Sequence, residues 1–90
     1  TQPLTFRVDD LSIIAQAMDK VASTPPTELA GSPVAKVEKF AQGSKFFTNN
    51  DDRVIVRPSG TEPKLKCYIE SPDADRLDAI AADLRAYFEI

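Results

Sequence analysis

Arg53–Glu70, RVIVRPSGTEPKLKCYIE, is the stretch whose reading decides the fold. Its two ends read as strands. In the first, Arg57 alternates away from Val54 and Val56. In the second, Leu65, Cys67 and Ile69 fall on one face and Lys64, Lys66, Tyr68 and Glu70 on the other. The connection between them is short, so the two strands pair antiparallel. Yet Arg57-Pro58-Ser59-Gly60-Thr61-Glu62-Pro63 is longer and more polar than a hairpin turn requires. It holds a cation, two hydroxyls, a glycine and an acid, and its only apolar groups are two proline rings.

The same patterns extend outward. Leu4–Val8 (LTFRV) reads as a strand. Asp9-Asp10 then opens a helix, since a carboxylate there accepts orphan amide hydrogens and complements the dipole. Leu11, Ile14, Ala15, Met18, Val21 and Ala22 supply its apolar stripe. Ser23–Pro33 (STPPTELAGSP), with three prolines and a glycine, reads as a breaker-rich loop. Val34–Phe40 resumes as a strand. Gly43-Ser44 turns the chain into Lys45–Thr48, a fragment that sets the strand count at four or five. Of the adjacent Phe46 and Phe47, one alone can face a core. Asn49–Asp52 is a second turn. After the quoted stretch, Ser71 is placed as a helix N-cap and Pro72 at the first helical position. Leu77, Ile80, Ala81, Leu84 and Phe88 mark the buried side of that helix. The order is β-α-β-β-β-β-α: an α+β domain spanning 1–90, with a mainly antiparallel four- to five-stranded sheet and two helices on one face.

Composition narrows the chemistry. Ninety residues carry a net charge of −3, which argues against a domain built to neutralise a nucleic-acid backbone. There is no histidine, so imidazole is excluded as base, acid or metal ligand. The single cysteine, Cys67, permits no internal disulfide and reads as a buried, inert thiol. No apolar run reaches the ~20 residues of a membrane span, and no signal peptide opens the chain. The setting these features imply is cytoplasmic, with no membrane partner. Asp73, Asp75 and Asp78 lie in the first turns of a helix, where carboxylates complement the dipole, so they are not read as metal ligands.

The polar corner suits an oxyanion. Arginine presents a planar fork of donors that matches phosphate. Ser59 and Thr61 add hydroxyls, Gly60 lets backbone amides approach, and successive amides form an anion-binding nest. Glu62 would repel a phosphate, so it is read as turned away toward Lys64, Lys66 or a backbone amide. Lys64 and Lys66 read as solvated charges, and Arg7, Arg53, Arg76 and Arg85 as surface residues. On composition alone, a long hairpin loop with a solvated arginine fits equally well.

RPSGTEPKLKCYIE closely resembles the phosphate-binding loop in the C-terminal domain of the α-D-phosphohexomutases, the phosphoglucomutase/phosphomannomutase superfamily. The likeness is strongest over Val54–Glu70, and the order of elements resembles that domain over nearly the whole chain. The resemblance implies the fourth domain of a larger, multi-domain mutase, in a TATA-box-binding-protein-like arrangement. Such isomerases interconvert 1-phospho and 6-phospho sugars through a bisphosphorylated intermediate. In the family, a phosphoserine, a Mg²⁺ loop and a sugar-reading loop reside on the other three domains. The fourth grips the phosphate that is not being transferred. Carried onto this sequence, Arg57, Ser59, Gly60 and Thr61 are the phosphate contacts. No catalytic residue and no metal ligand falls in this chain, and no cofactor is expected on it; Mg²⁺ belongs to the full-length enzyme. The partners implied are a phosphosugar and the other three domains, and the isolated domain is expected to be inactive. Two alternatives stand beside this: a protein-interaction module using the open sheet face, and a single-stranded nucleic-acid binder using Lys66 and Tyr68 as a stacking platform.

Overall fold

The quoted stretch folds as a pair of central strands. The structure, a computed structural model, describes residues 2–40, 43–59 and 62–89. In chain order the elements are β1 (Gln2–Arg7), α1 (Leu11–Ser23), β2 (Glu28–Leu29), β3 (Ser32–Phe40), β4 (Gly43–Thr48), β5 (Arg53–Pro58), β6 (Lys64–Glu70) and α2 (Asp75–Phe88). The strands form one six-stranded sheet in the order β1-β6-β5-β4-β3-β2. Each neighbouring pair is antiparallel.

The α+β reading therefore holds, with one strand more than the four or five expected. The extra strand is β2, inside the breaker-rich segment read as loop. It pairs with β3 through Leu29 and Ser32, and Ala30 and Gly31 make the turn at φ 50° and 78°. Left-handed values at both central positions give the twist a two-residue hairpin needs, a geometry common for Asn-Gly and rare for alanine. Lys45–Thr48 is an interior strand, since β4 lies between β3 and β5.

Register fixes which side chains are buried. Leu4, Cys67 and Val56 stand in one row across β1, β6 and β5, and Ile69, Val54 and Phe46 in another. All six are buried, on the same face as the apolar sides of both helices: Ile14, Ala17 and Val21 of α1, and Ile80, Ala81, Leu84 and Phe88 of α2. Burying each large aliphatic or aromatic side chain of this cluster contributes about 1.5–3 kcal/mol. Of the phenylalanine pair, Phe46 enters the core and Phe47 stays outside it. Cys67 is sealed in, and burial pushes its thiol up to about 12, so it stays protonated and unreactive.

Both helices needed adjustment. On α1, Asp10 is the N-cap as expected, its carboxylate accepting from the Ser12 amide at 2.8 Å. Its buried line runs through Ile14, Ala17 and Val21, while Leu11, Ala15 and Ala22 are exposed. The helix has turned so that its smaller residue, Ala17, meets the sheet. α2 starts at Asp75, after the Ser71-Pro72 position read as its cap. Ser71 is otherwise engaged: its hydroxyl donates to Asp52 at 2.6 Å and accepts from the Asp73 amide at 3.2 Å.

Candidate functional site

Among the described residues, three main-chain hydrogen bonds shape the loop after β5. The Ser59 amide donates to the Lys64 carbonyl at 2.9 Å, closing the loop across its base. The Lys64 amide donates to the Glu62 carbonyl at 2.7 Å, turning the second arm sharply into β6. The Val8 amide donates to the Pro63 carbonyl at 3.0 Å, tying that arm to the end of β1. Of the four residues expected to contact phosphate, Arg57 and Ser59 are described; Gly60 and Thr61 lie outside the described residues. The bond to Lys64 also corrects part of the expected nest. The Ser59 amide is spent on closing the loop, so Ser59 is left with its hydroxyl as the donor for an anion.

Arg57 leaves β5 on the face opposite the core and is exposed, as strand alternation required. Lys66 stands directly beside it on β6, and Arg7 of β1 faces Lys64. Four cations thus gather on one end of the open face, in a chain whose net charge is −3. Of the partners expected for Glu62, it takes Lys64: its carboxylate meets the Lys64 ammonium at 2.8 Å. The Lys64 hydrogen bond and charge hold the Glu62 carboxyl below its ordinary value of 4.5, with smaller contributions from Arg7 and Lys66. Lys64 itself is not the solvated charge expected, since its side chain is only 20% exposed.

Sequence reasoning missed a constraint beneath the site. Gly43, read as part of a turn, opens β4 beside the end of β5. A Cβ there would sit 2.0 Å from the Val56 carbonyl oxygen and 3.1 Å from the Arg57 Cα. The absent side chain lets β4 lie close against the backbone that carries Arg57.

The far end of the same strands has opposite chemistry. A cleft of about 470 Å³ is lined there by Phe47, Thr48, Asp51, Asp52, Arg53, Glu70 and their neighbours. Asp52 is fully buried beneath it. It accepts from Thr48 Oγ1 at 2.8 Å, Ser71 Oγ at 2.6 Å and Arg76 Nη2 at 2.8 Å. Burial by itself would raise the Asp52 carboxyl, but hydrogen bonds from Arg76, Ser71 and Thr48 and the charge of Arg76 outweigh it and hold the group below 3.8. Arg76 also donates to the Leu29 and Ala30 carbonyls, at 3.3 Å and 3.2 Å. The surface role expected for Arg76 is therefore wrong: it bolts α2, the β4–β5 turn and the β2–β3 hairpin together. Arg53, also read as a surface residue, pairs with Glu70 in a half-buried contact. Two of the carboxylates lining the cleft, Asp52 and Glu70, are thus already paired with Arg76 and Arg53.

Comparison with known proteins gives the family. The family model described as phosphoglucomutase/phosphomannomutase, C-terminal domain, matches residues 4–87. A probable phosphomannomutase of Haemophilus influenzae is 39% identical over 82 residues, covering 84% of this chain and 17% of the relative. A phosphoglucomutase of Staphylococcus epidermidis is 33% identical over 87 residues, covering 76% and 16%. A phosphoglucosamine mutase of Anaeromyxobacter dehalogenans is 45% identical over 65 residues, covering 68% and 13%. The chain belongs to the phosphoglucomutase/phosphomannomutase family, as its C-terminal domain. It spans about a sixth of the length of these mutases.

Proposed function

We propose that this domain grips the phosphate of a hexose phosphate inside a phosphohexomutase, an isomerase that interconverts 1-phospho and 6-phospho sugars through a bisphosphorylated intermediate. Arg57, Ser59, Gly60 and Thr61 make the contacts, and the phosphate they hold is the one not being transferred. The observation that carries the reading is the placement of Arg57: it projects from the end of β5 onto the open sheet face, beside the loop and next to Lys66. Membership of the mutase family, and the substrates in its relatives' names, support it.

A guanidinium and hydroxyls recognise phosphate without reading the sugar behind it. Such a cradle accepts the bisphosphorylated intermediate in either orientation, which an interconversion of positions 1 and 6 demands. Phosphoryl transfer depends on positioning and charge stabilisation more than on covalent chemistry by the protein. Binding energy gathered at the remote phosphate then orients the reacting end.

The family's Mg²⁺ does not fit the residues described here. Asp52 is saturated by Thr48, Ser71 and Arg76, Asp73 accepts from the Asp75 amide at 3.0 Å, and no cluster of three or more potential ligands occurs among the described residues. On this reading the other domains of the enzyme would hold the ion.

Titrating a hexose phosphate into the full-length protein, with this domain isotopically labelled, checks the reading. The amide signals of Ser59 and its loop neighbours should move, while those of Asp52 and Ser71 stay in place. Shifts confined to the Asp52–Ser71 end would overturn it.

A further inference from the structure

Glu62 is an anion in a loop read as an anion site, and its surroundings give it a task. The second arm of the loop, Glu62–Lys64, turns within three residues and is held by main-chain bonds at the Lys64 amide, the Lys64 carbonyl and the Pro63 carbonyl. Among the described residues, the side-chain tie in this arm is the 2.8 Å contact between the Glu62 carboxylate and the Lys64 ammonium. That contact joins the last loop residue before Pro63 to the first residue of β6. The lysine's carbonyl is also the acceptor that closes the loop against Ser59. Lys64 therefore belongs to both arms at once. Register sets it beside Arg7, with Lys66 two residues on and next to Arg57.

Resting on the phosphate-gripping reading above, we propose that the Glu62–Lys64 ion pair is a positioning device for the loop: it pins the loop's second arm to the start of β6 and masks the lysine's charge, so that the phosphate is drawn to Arg57. The pair does not touch the ligand. Without it the main-chain bonds still hold the arm but its side chains are released, and an unmasked ammonium near Arg7 and Lys66 offers the anion a second, unproductive resting place on the open face. Glu62 and Lys64 act through the geometry of Arg57 and Ser59.

The two halves of the pair can be separated from simple charge effects, because Glu62→Gln and Lys64→Gln break the same contact but change net charge in opposite directions. Measured in the full-length enzyme with a hexose phosphate, both variants should raise KM by roughly two- to fivefold, with kcat within about twofold. The double variant should cost no more than either single one, and the swapped pair Glu62→Lys/Lys64→Glu should recover most of the loss. Glu38→Gln, which breaks the comparable Lys36–Glu38 surface pair, serves as control and should change nothing. KM shifts of opposite sign would show that only charge matters and overturn the proposal. So would unchanged KM in both variants while Arg57→Ala still lowers kcat/KM, an outcome that leaves the phosphate reading intact. If Arg57→Ala also had no effect, the phosphate reading and the proposal would fall together.

Discussion

Replacing Arg57 by alanine in the full-length enzyme should lower kcat/KM for the hexose phosphate by roughly a hundredfold. Hydrogen bonds to a charged group contribute about 1.5–3 kcal/mol each, and a guanidinium on a phosphate makes two in parallel, part of whose loss water makes good. Arg57→Lys keeps the charge and loses the fork, so it should fall between, at roughly a tenfold loss. On the proposed role, in which the remote phosphate contact helps to orient the reacting end, the loss should appear in kcat as well as KM. Neither variant should unfold the domain, since Arg57 is exposed and stands outside the core. Steady-state kinetics beside a thermal melt measures both halves of this expectation. Unchanged kcat/KM in Arg57→Ala would remove the residue from the site.

The second large effect concerns stability, at the other end of the sheet. Asp52→Ala should destabilise the domain by about 3 kcal/mol, because it removes a fully buried carboxylate and strands the partly buried arginine and two hydroxyl donors that converge on it. For a domain of this size, that corresponds to a fall of about 15 °C in Tm. The pH dependence follows from the direction of the Asp52 shift. The folded carboxyl lies below its ordinary 3.8, so its contribution is fully present above that value. It is lost as pH falls through the lowered folded pKa. The gap in stability between the native chain and Asp52→Asn should therefore be widest near neutrality and narrow below about pH 4. Urea unfolding of both proteins between pH 2.5 and 7 checks the trend; a constant gap would mean that the carboxylate's charge plays no part.

Local patterns made much of this legible. The alternation through Val54, Val56, Leu65, Cys67 and Ile69 needs only the two-residue period of a strand, and the buried rows follow it directly. Arg57, at the end of that alternation, was placed on the open face for the same reason. What local patterns could not show depends on partners far away in the chain. Nothing around Arg76 signals that it reaches Asp52, 24 residues earlier. Nothing in STPPTELAGSP marks Ala30 as left-handed. That conformation is stabilised from outside, by Asp83 accepting from the Ala30 amide at 2.6 Å and Arg76 donating to its carbonyl. Leu11 was assigned to the core by helical spacing, which fixes a stripe but not the rotation of the helix that presents it. In the loop, charge alone suggested a cationic partner for Glu62 but did not choose between Lys64 and Lys66. The use of the Ser59 amide to close the loop was not legible, because it depends on where the Lys64 carbonyl falls once β5 and β6 are paired.

A crystal structure of the full-length enzyme with a hexose phosphate bound tests the central claim most directly. The account predicts phosphate oxygens about 3 Å from the Arg57 guanidinium and the Ser59 hydroxyl, with Glu62 still turned to Lys64. A phosphate seated elsewhere, with Arg57 left in solvent, would contradict it.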